Sequence, residues 1–199
     1  VVLNRESLTA TGEKVRDKFN ENYPIFKGRA ADLTELGQKQ HRLLASRMMD
    51  DYPNLFRKGA EVYAFSSDRT RCMMSMYSFL DELRLCRNGL DIHADYNSSY
   101  LKYLRAQHPE PFDMKAYLRY NFDPQSVFER LFTSPEKAMS STDPWNFAQE
   151  LYYYASHLDG AGIKDDFWSN VLSDDEVKAI HRAENEKFSY NRGGLRPAN

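Results

Sequence analysis

A predominantly α-helical chain with a small strand-helix-strand α/β part is the fold class this sequence predicts, and three observations predict it. Glu61-Val62-Tyr63-Ala64-Phe65 alternates polar and apolar residues with strand-prone types. Between there and Ala94, the apolar spacing changes from two to between three and four. Beyond Tyr96, only helix starts and polar breaks recur, several of them marked by proline.

Residues from about Leu8 to Asn22 are expected as a first helix, closing before Tyr23-Pro24 because proline disfavours helix in the residue before it. The polar run Lys27-Gly28-Arg29-Ala30-Ala31-Asp32 reads as a loop. Thr34 can cap a second helix that carries Leu36, Leu43, Leu44, Met48 and Tyr52, ends near Pro53 and should bury that face. The strand at 61–65 runs into Ser66-Ser67-Asp68, whose side chains suit a helix cap. A third helix over about Arg69–Leu85 follows, with Met73, Met76, Tyr77, Leu80 and Leu83 on one face. Cys72, Met74 and Phe79 lie elsewhere on it, so it should be covered on more than one side. Leu90–Ala94 is the second strand candidate, which makes residues 61–94 a strand-helix-strand unit with a right-handed parallel crossover.

In the second half, Asp123-Pro124, Ser134-Pro135 and Asp143-Pro144 each place a capping residue before proline at a first helical position. Ser173-Asp174-Asp175-Glu176 is a capping box opening a helix to about Tyr190, after a break at Gly160-Ala161-Gly162. The division expected is an α/β part over 1–96, a helical region over 97–190 and a tail or linker over 191–199.

Composition narrows the function classes. The 199 residues hold 27 Lys plus Arg against 29 Asp plus Glu, a formal net charge of −2, so there is no basic stripe to bind nucleic acid. No apolar run reaches the roughly 18 residues of a membrane span. Cys72 and Cys86 are too few for a disulfide framework or a zinc motif. Within one helix they would stand roughly 21 Å apart at 1.5 Å per residue, so both are expected as buried free thiols.

The chemistry concentrates where the first strand meets the third helix. Hydroxyls of Ser66 and Ser67, unpaired helix N–H groups and the guanidinium groups of Arg69 and Arg71 are the parts of an oxyanion site, and phosphate is the natural guest. Ligands of open α/β sheets sit beyond the carboxyl ends of the strands, where this corner falls. If both arginines are helical they point roughly 200° apart at about 100° per residue, so one of them faces a shared phosphate. Asp68 opposes a phosphate unless it points away.

Leu33-Thr34-Glu35-Leu36-Gly37-Gln38-Lys39-Gln40-His41 followed by Val62-Tyr63-Ala64-Phe65-Ser66-Ser67-Asp68-Arg69-Thr70-Arg71-Cys72 resembles the histidine acid phosphatases, and most of all the multiple inositol polyphosphate phosphatases. The resemblance is specific over about residues 33–85. It implies a histidine-phosphatase-like α/β core segment, with 97–190 as a helical insertion. It also implies hydrolysis of phosphomonoesters through a phosphohistidine, on inositol polyphosphates such as phytate, by an exported protein that needs neither cofactor nor metal. Arg71, beside Cys72 and four residues before Ser75, matches the phosphate-clamping catalytic arginine; Arg69 and Ser67 are the substrate-binding candidates. Phe65 stands where the family often has a further arginine.

The family's Arg-His-Gly motif, whose histidine takes the phosphoryl group, does not occur in these 199 residues. His93-Ala94-Asp95 imitates the later acid-bearing motif but precedes the helical region instead of following it, and reads as a structural strand-end histidine. His181-Arg182-Ala183-Glu184 reads as solvated helix. The sequence is expected to be a piece of an enzyme or one that has lost its chemistry. Two alternatives stand beside it: a non-catalytic phosphate-binding protein, and a helical partner-binding module using Trp145, Tyr152, Tyr153, Tyr154 and Trp168.

Overall fold

The structure, a computed structural model, describes residues 7–29, 32–101 and 112–192. It is predominantly helical with one two-stranded parallel sheet, and it divides into two compact units. Residues 29–106 with 160–162 form the α/β unit; the rest form the helical unit.

In the α/β unit, α2 (Glu35–Asp51) precedes β1 (Glu61–Ser66), α3 (Thr70–Cys86) and β2 (Asp91–Tyr96). Thr34 caps α2 as expected, its hydroxyl accepting from the Gly37 N–H at 3.1 Å. β1 and β2 pair in parallel with Glu61 opposite Asp91 and Ser66 opposite Tyr96, and α3 is the crossover between them. Such a connection needs a dozen or more residues, which a 17-residue helix supplies. Ala45, Met49, Phe56, Leu80 and Leu83 form the core of this unit, with Val62, Ala64, Ile92 and Ala94 packed against it.

Two expectations fail here. The face of α2 expected inside is largely outside: Leu36, Leu43, Leu44 and Tyr52 are exposed and Met48 is half-buried, whereas Ala45 and Met49 are buried. The buried stripe lies about a third of a turn round the helix from the expected one. The small Ala45 side chain lets α2 and α3 approach closely, and Ser46 donates to Glu82 of α3 at 2.8 Å. The cysteines are not buried either. Cys72 is half-buried and Cys86 exposed, and the Glu82 carboxylate, accepting from the Cys86 thiol at 3.3 Å, holds that thiol above its ordinary pKa.

The helical unit holds α1 (Ala10–Phe26), α4 (Met114–Asn121), α5 (Gln125–Leu131), α6 (Pro135–Ser141), α7 (Pro144–Leu158) and α8 (Asp174–Arg192). Its core includes Leu118, Val127, Phe128, Leu131, Ala148, Leu158, Val171, Ile180 and Ala183. The first helix belongs here and not with the α/β part, which departs from the expected division at residue 96. Leu8 bridges to Phe132, the Thr9 N–H donates to the Leu131 carbonyl at 3.1 Å and the Thr9 hydroxyl to the Arg130 carbonyl at 2.6 Å.

α1 also continues through Pro24 to Phe26, and the Lys27 N–H closes it on the Tyr23 carbonyl. In its last turn proline removes one helix bond without preventing closure. Pro135 and Pro144 open helices as expected. Pro124 lies one residue outside α5, where Asp123 accepts from the Gln125 N–H. The capping box forms reciprocally, Ser173 N–H to the Glu176 carboxylate at 2.6 Å and Glu176 N–H to the Ser173 hydroxyl at 3.3 Å. Within the expected tail, residues 193–199 lie outside the described residues.

Glu176 is buried and ties α8 to α5. It accepts from Arg130 at 3.0 and 3.1 Å and from Ser126 at 2.5 Å, while Arg130 also donates to the Val171 carbonyl. Burial alone would raise its pKa, but the bonds from Arg130, Ser126 and the Ser173 N–H outweigh it and hold the carboxyl below its ordinary value. A depressed folded pKa adds stability that is complete above the ordinary value of 4.5 and is lost as pH falls through the folded value. Acid unfolding of the wild-type chain should therefore steepen below about pH 4.5, and Glu176→Gln should flatten that limb while costing about 1–3 kcal/mol at neutral pH; denaturant melts across pH check both.

A second prediction concerns Gly12, buried in the first turn of α1. A β-carbon there would fall inside the contact radius of the Leu131 carbonyl oxygen, a backbone atom fixed by its bond from Thr9. Gly12→Ala should destabilise by about 2 kcal/mol or more despite the better helix propensity of alanine, read from the denaturation midpoint.

Candidate functional site

The strand-to-helix corner is built from one face of β1. Val62 and Ala64 turn toward the core, and Ser66 at the end of the same face is buried, as is Ser67 after it. The Ser66 hydroxyl donates to the Ser67 carbonyl at 2.8 Å, and the Asn97 N–H donates to the Ser66 carbonyl at 3.0 Å, so the chain after β2 pins the turn. Asp68 is exposed, Arg69 is the N-cap of α3 in extended conformation, and Thr70 begins the helix.

Ser66-Ser67-Asp68 is therefore not the cap. The helix starts one residue later than a cap among these three would place it, so the cap position falls to Arg69, whose guanidinium has no acceptor to offer. No side chain caps α3, and its first turn holds no acidic residue. The Arg69 carbonyl accepts from Cys72 and Met73 at 2.8 and 3.0 Å, and the N–H groups at the very start of the helix still face outward, as helix geometry dictates.

Arg69 and Arg71 flank that helix start. Both are exposed, and neither makes an ion pair among the described residues. With Asp68 counted the corner remains net positive, and the helix dipole adds to it. Ser75, part of the motif spelling, donates to the Arg71 carbonyl at 2.8 Å and is turned back along its own helix.

An open groove of about 440 Å³ lies beside the corner, lined by Gln38, Arg42, Thr70, Met73, Tyr77 and Tyr96 among others. Thr70, between the two arginines, borders it; Arg69 and Arg71 do not. Arg42 also borders a second groove with Lys39 and Glu35, and Asp81 lines the first, so cations and carboxylates both face these grooves. Sequence reasoning missed Arg42. Its signal was the spacing Gln38 to Arg42, four residues apart on one helix face and starting from the motif glutamine.

The histidine candidates stand apart from the corner. His93 lies within β2, exposed, not at a strand end; its ring stacks on Tyr63 at 4.7 Å between centroids, and its Nε2 is 3.3 Å from an Asp91 carboxylate oxygen. His181 is exposed on α8, its Nδ1 3.0 Å from the Tyr152 hydroxyl. The aromatic set of the helical unit is largely internal. Trp168 is buried, and Trp145, Tyr152 and Tyr154 pack against the core. Tyr154 contacts Phe19, Phe26 and Trp168, and burial pushes the Tyr153 hydroxyl well above its ordinary pKa. Trp145 and the three tyrosines are half-buried, so each also keeps part of its surface open.

No protein-family model matches this chain, and no curated protein matches it. Among the described residues, no helix is long and apolar enough to cross a membrane.

Proposed function

We propose that the corner between β1 and α3 is the oxyanion site of a histidine-type phosphomonoesterase, with inositol polyphosphates such as phytate as the substrate class. The observation that carries this reading is the pair Arg69 and Arg71, without ion partners among the described residues, on either side of an uncapped helix start at the carboxyl end of a parallel strand. Such a place offers an anion fixed N–H donors, the positive end of a helix dipole and a planar cation that can bond two oxygens at once.

In the reaction, a histidine nitrogen attacks phosphorus as the ester P–O bond breaks. The departing oxygen takes a proton from an acid, and water then cleaves the phosphohistidine. Dividing the displacement in this way lowers each barrier. Arg71 neutralises charge on the non-bridging oxygens as the phosphoryl group moves, a contribution of roughly 3 kcal/mol for one well-placed donor. Arg69 and the Ser67 segment hold the ester in place. Arg42, which lines the groove beside Thr70, would meet an outlying phosphate of a polyphosphorylated ring. The scheme needs a nucleophilic histidine in an Arg-His-Gly setting, and the 199 residues contain no Arg-His-Gly. That absence also favours a second reading, a phosphate-binding protein that keeps the anion site without the chemistry.

Binding tests the site in this chain, and hydrolysis separates the two readings in the intact protein. Calorimetric titration with inositol hexakisphosphate should show binding that Arg71→Ala or Arg69→Ala weakens by about 10-fold to 100-fold, the value of a charge-assisted hydrogen bond. Arg84→Ala, near the far end of α3, should leave it unchanged. Full affinity in both corner variants would remove the site. Phosphate release by the intact protein that Arg71→Ala abolishes would establish the enzyme; tight binding without release would establish the binder.

A further inference from the structure

We propose that Glu61, Asp91 and His93 form a site for a divalent transition-metal ion of the zinc class on the face of the sheet turned away from α2 and α3. Independent of the corner, it rests on four observations. First, register puts the ligands together: Glu61 and Asp91 are direct partners across β1 and β2, and His93, two residues on, shares their face. One ligand atom from each side chain lies within 4.8 Å of the others.

Second, the spacing suits coordination. The His93 Nε2 and the Asp91 oxygen are 3.3 Å apart, close to the edge of about 3.4 Å that a tetrahedron with metal bonds near 2.1 Å requires. A rotamer adjustment of Glu61 supplies the third donor, and solvent fills what remains. The imidazole selects a zinc-class ion over magnesium or calcium, which prefer all-oxygen shells.

Third, the charges call for a cation. Two carboxylates directly opposed on neighbouring strands repel, and the Glu61 side chain makes no ion pair or hydrogen bond among the described residues.

Fourth, the site is held in place from beneath and beside. Gly59 and Gly89, both at positive φ, turn the two loops into their strands. The Gly59 N–H donates to the Gly89 carbonyl at 2.7 Å and the Asp91 N–H to the Ala60 carbonyl at 2.9 Å, which locks Glu61 level with Asp91. The His93 ring lies nearly parallel to Tyr63, at 14°, which fixes its plane.

The site lies at the amino ends of the strands. The Ser66 corner is at the other end, roughly 16 Å away at about 3.3 Å per residue. The ion therefore ties β1 to β2 and takes no part in phosphate chemistry. A parallel pair with no third strand among the described residues is marginal by itself, and a bridging ion opposes its separation directly.

Calorimetric titration of the chain with Zn²⁺, in buffer without phosphate, should show one equivalent bound. His93→Ala should weaken it by more than about tenfold, as much as losing a supporting neighbour of a metal ligand costs, and Glu61→Gln should weaken it as well. Mg²⁺ at the same concentration should not compete. Zn²⁺ should raise the melting temperature of the wild type and not of His93→Ala. All three side chains are exposed, so melting with chelator present should be alike in wild type and variants. The proposal is overturned if the wild type binds no Zn²⁺, if both variants keep wild-type affinity, or if only His157→Ala or His181→Ala removes binding.

Discussion

The packing of α2 on α3 across one face of the sheet is the constraint on which the α/β unit depends. Leu80 and Leu83 on α3 meet Ala45 and Met49 on α2, and the inward residues of both strands rest on the same cluster. Parallel strands gain little from a hairpin turn; their order comes from the helix that crosses between them and from what that helix packs on. Fixing α3 fixes the end of β1, because only Ser67, Asp68 and Arg69 separate strand from helix. The position of the two arginines is thus a consequence of apolar packing on the opposite side of α3.

The same arrangement leaves an uncovered side. Glu61, Tyr63, Phe65, Asp91, His93 and Asp95 all point away from the helices and are exposed. That face mixes aromatic rings with carboxylates and a histidine instead of the apolar run of a doubly covered parallel strand. Its chemistry is that of side chains meeting each other and solvent, as in the stacking of Tyr63 on His93 and the contact of Phe65 with Tyr100.

What the sequence made legible were features decided within a few residues. The Thr34 cap, the Ser173–Glu176 box, β1 and a second strand, expected over 90–94 and found over Asp91–Tyr96, follow from local donors, acceptors and alternation. What it hid were features decided by distant partners. Apolar spacing on α2 defined a stripe through Leu36, Leu43 and Leu44, but the side that packs with Leu80 and Leu83 of α3 is the one carrying Ala45 and Met49. α1 passes Pro24 because a proline in a last turn costs only one bond, and its packing on Leu131 could not be read from residues more than 100 positions away. At the corner the cap fell elsewhere: α3 starts one residue late, so its N-cap is Arg69 instead of one of Ser66, Ser67 and Asp68.

The claim at the centre of this account is that the start of α3 receives an oxyanion. Backbone amide resonances of the chain followed by NMR during titration with inositol hexakisphosphate test it most directly, because they report position as well as binding. The account predicts that the largest shifts fall on Thr70, Arg71 and Cys72 and saturate together, with little change in the helical unit. Shifts spread over scattered lysines and arginines, or centred elsewhere while Thr70 and Arg71 stay still, would contradict it.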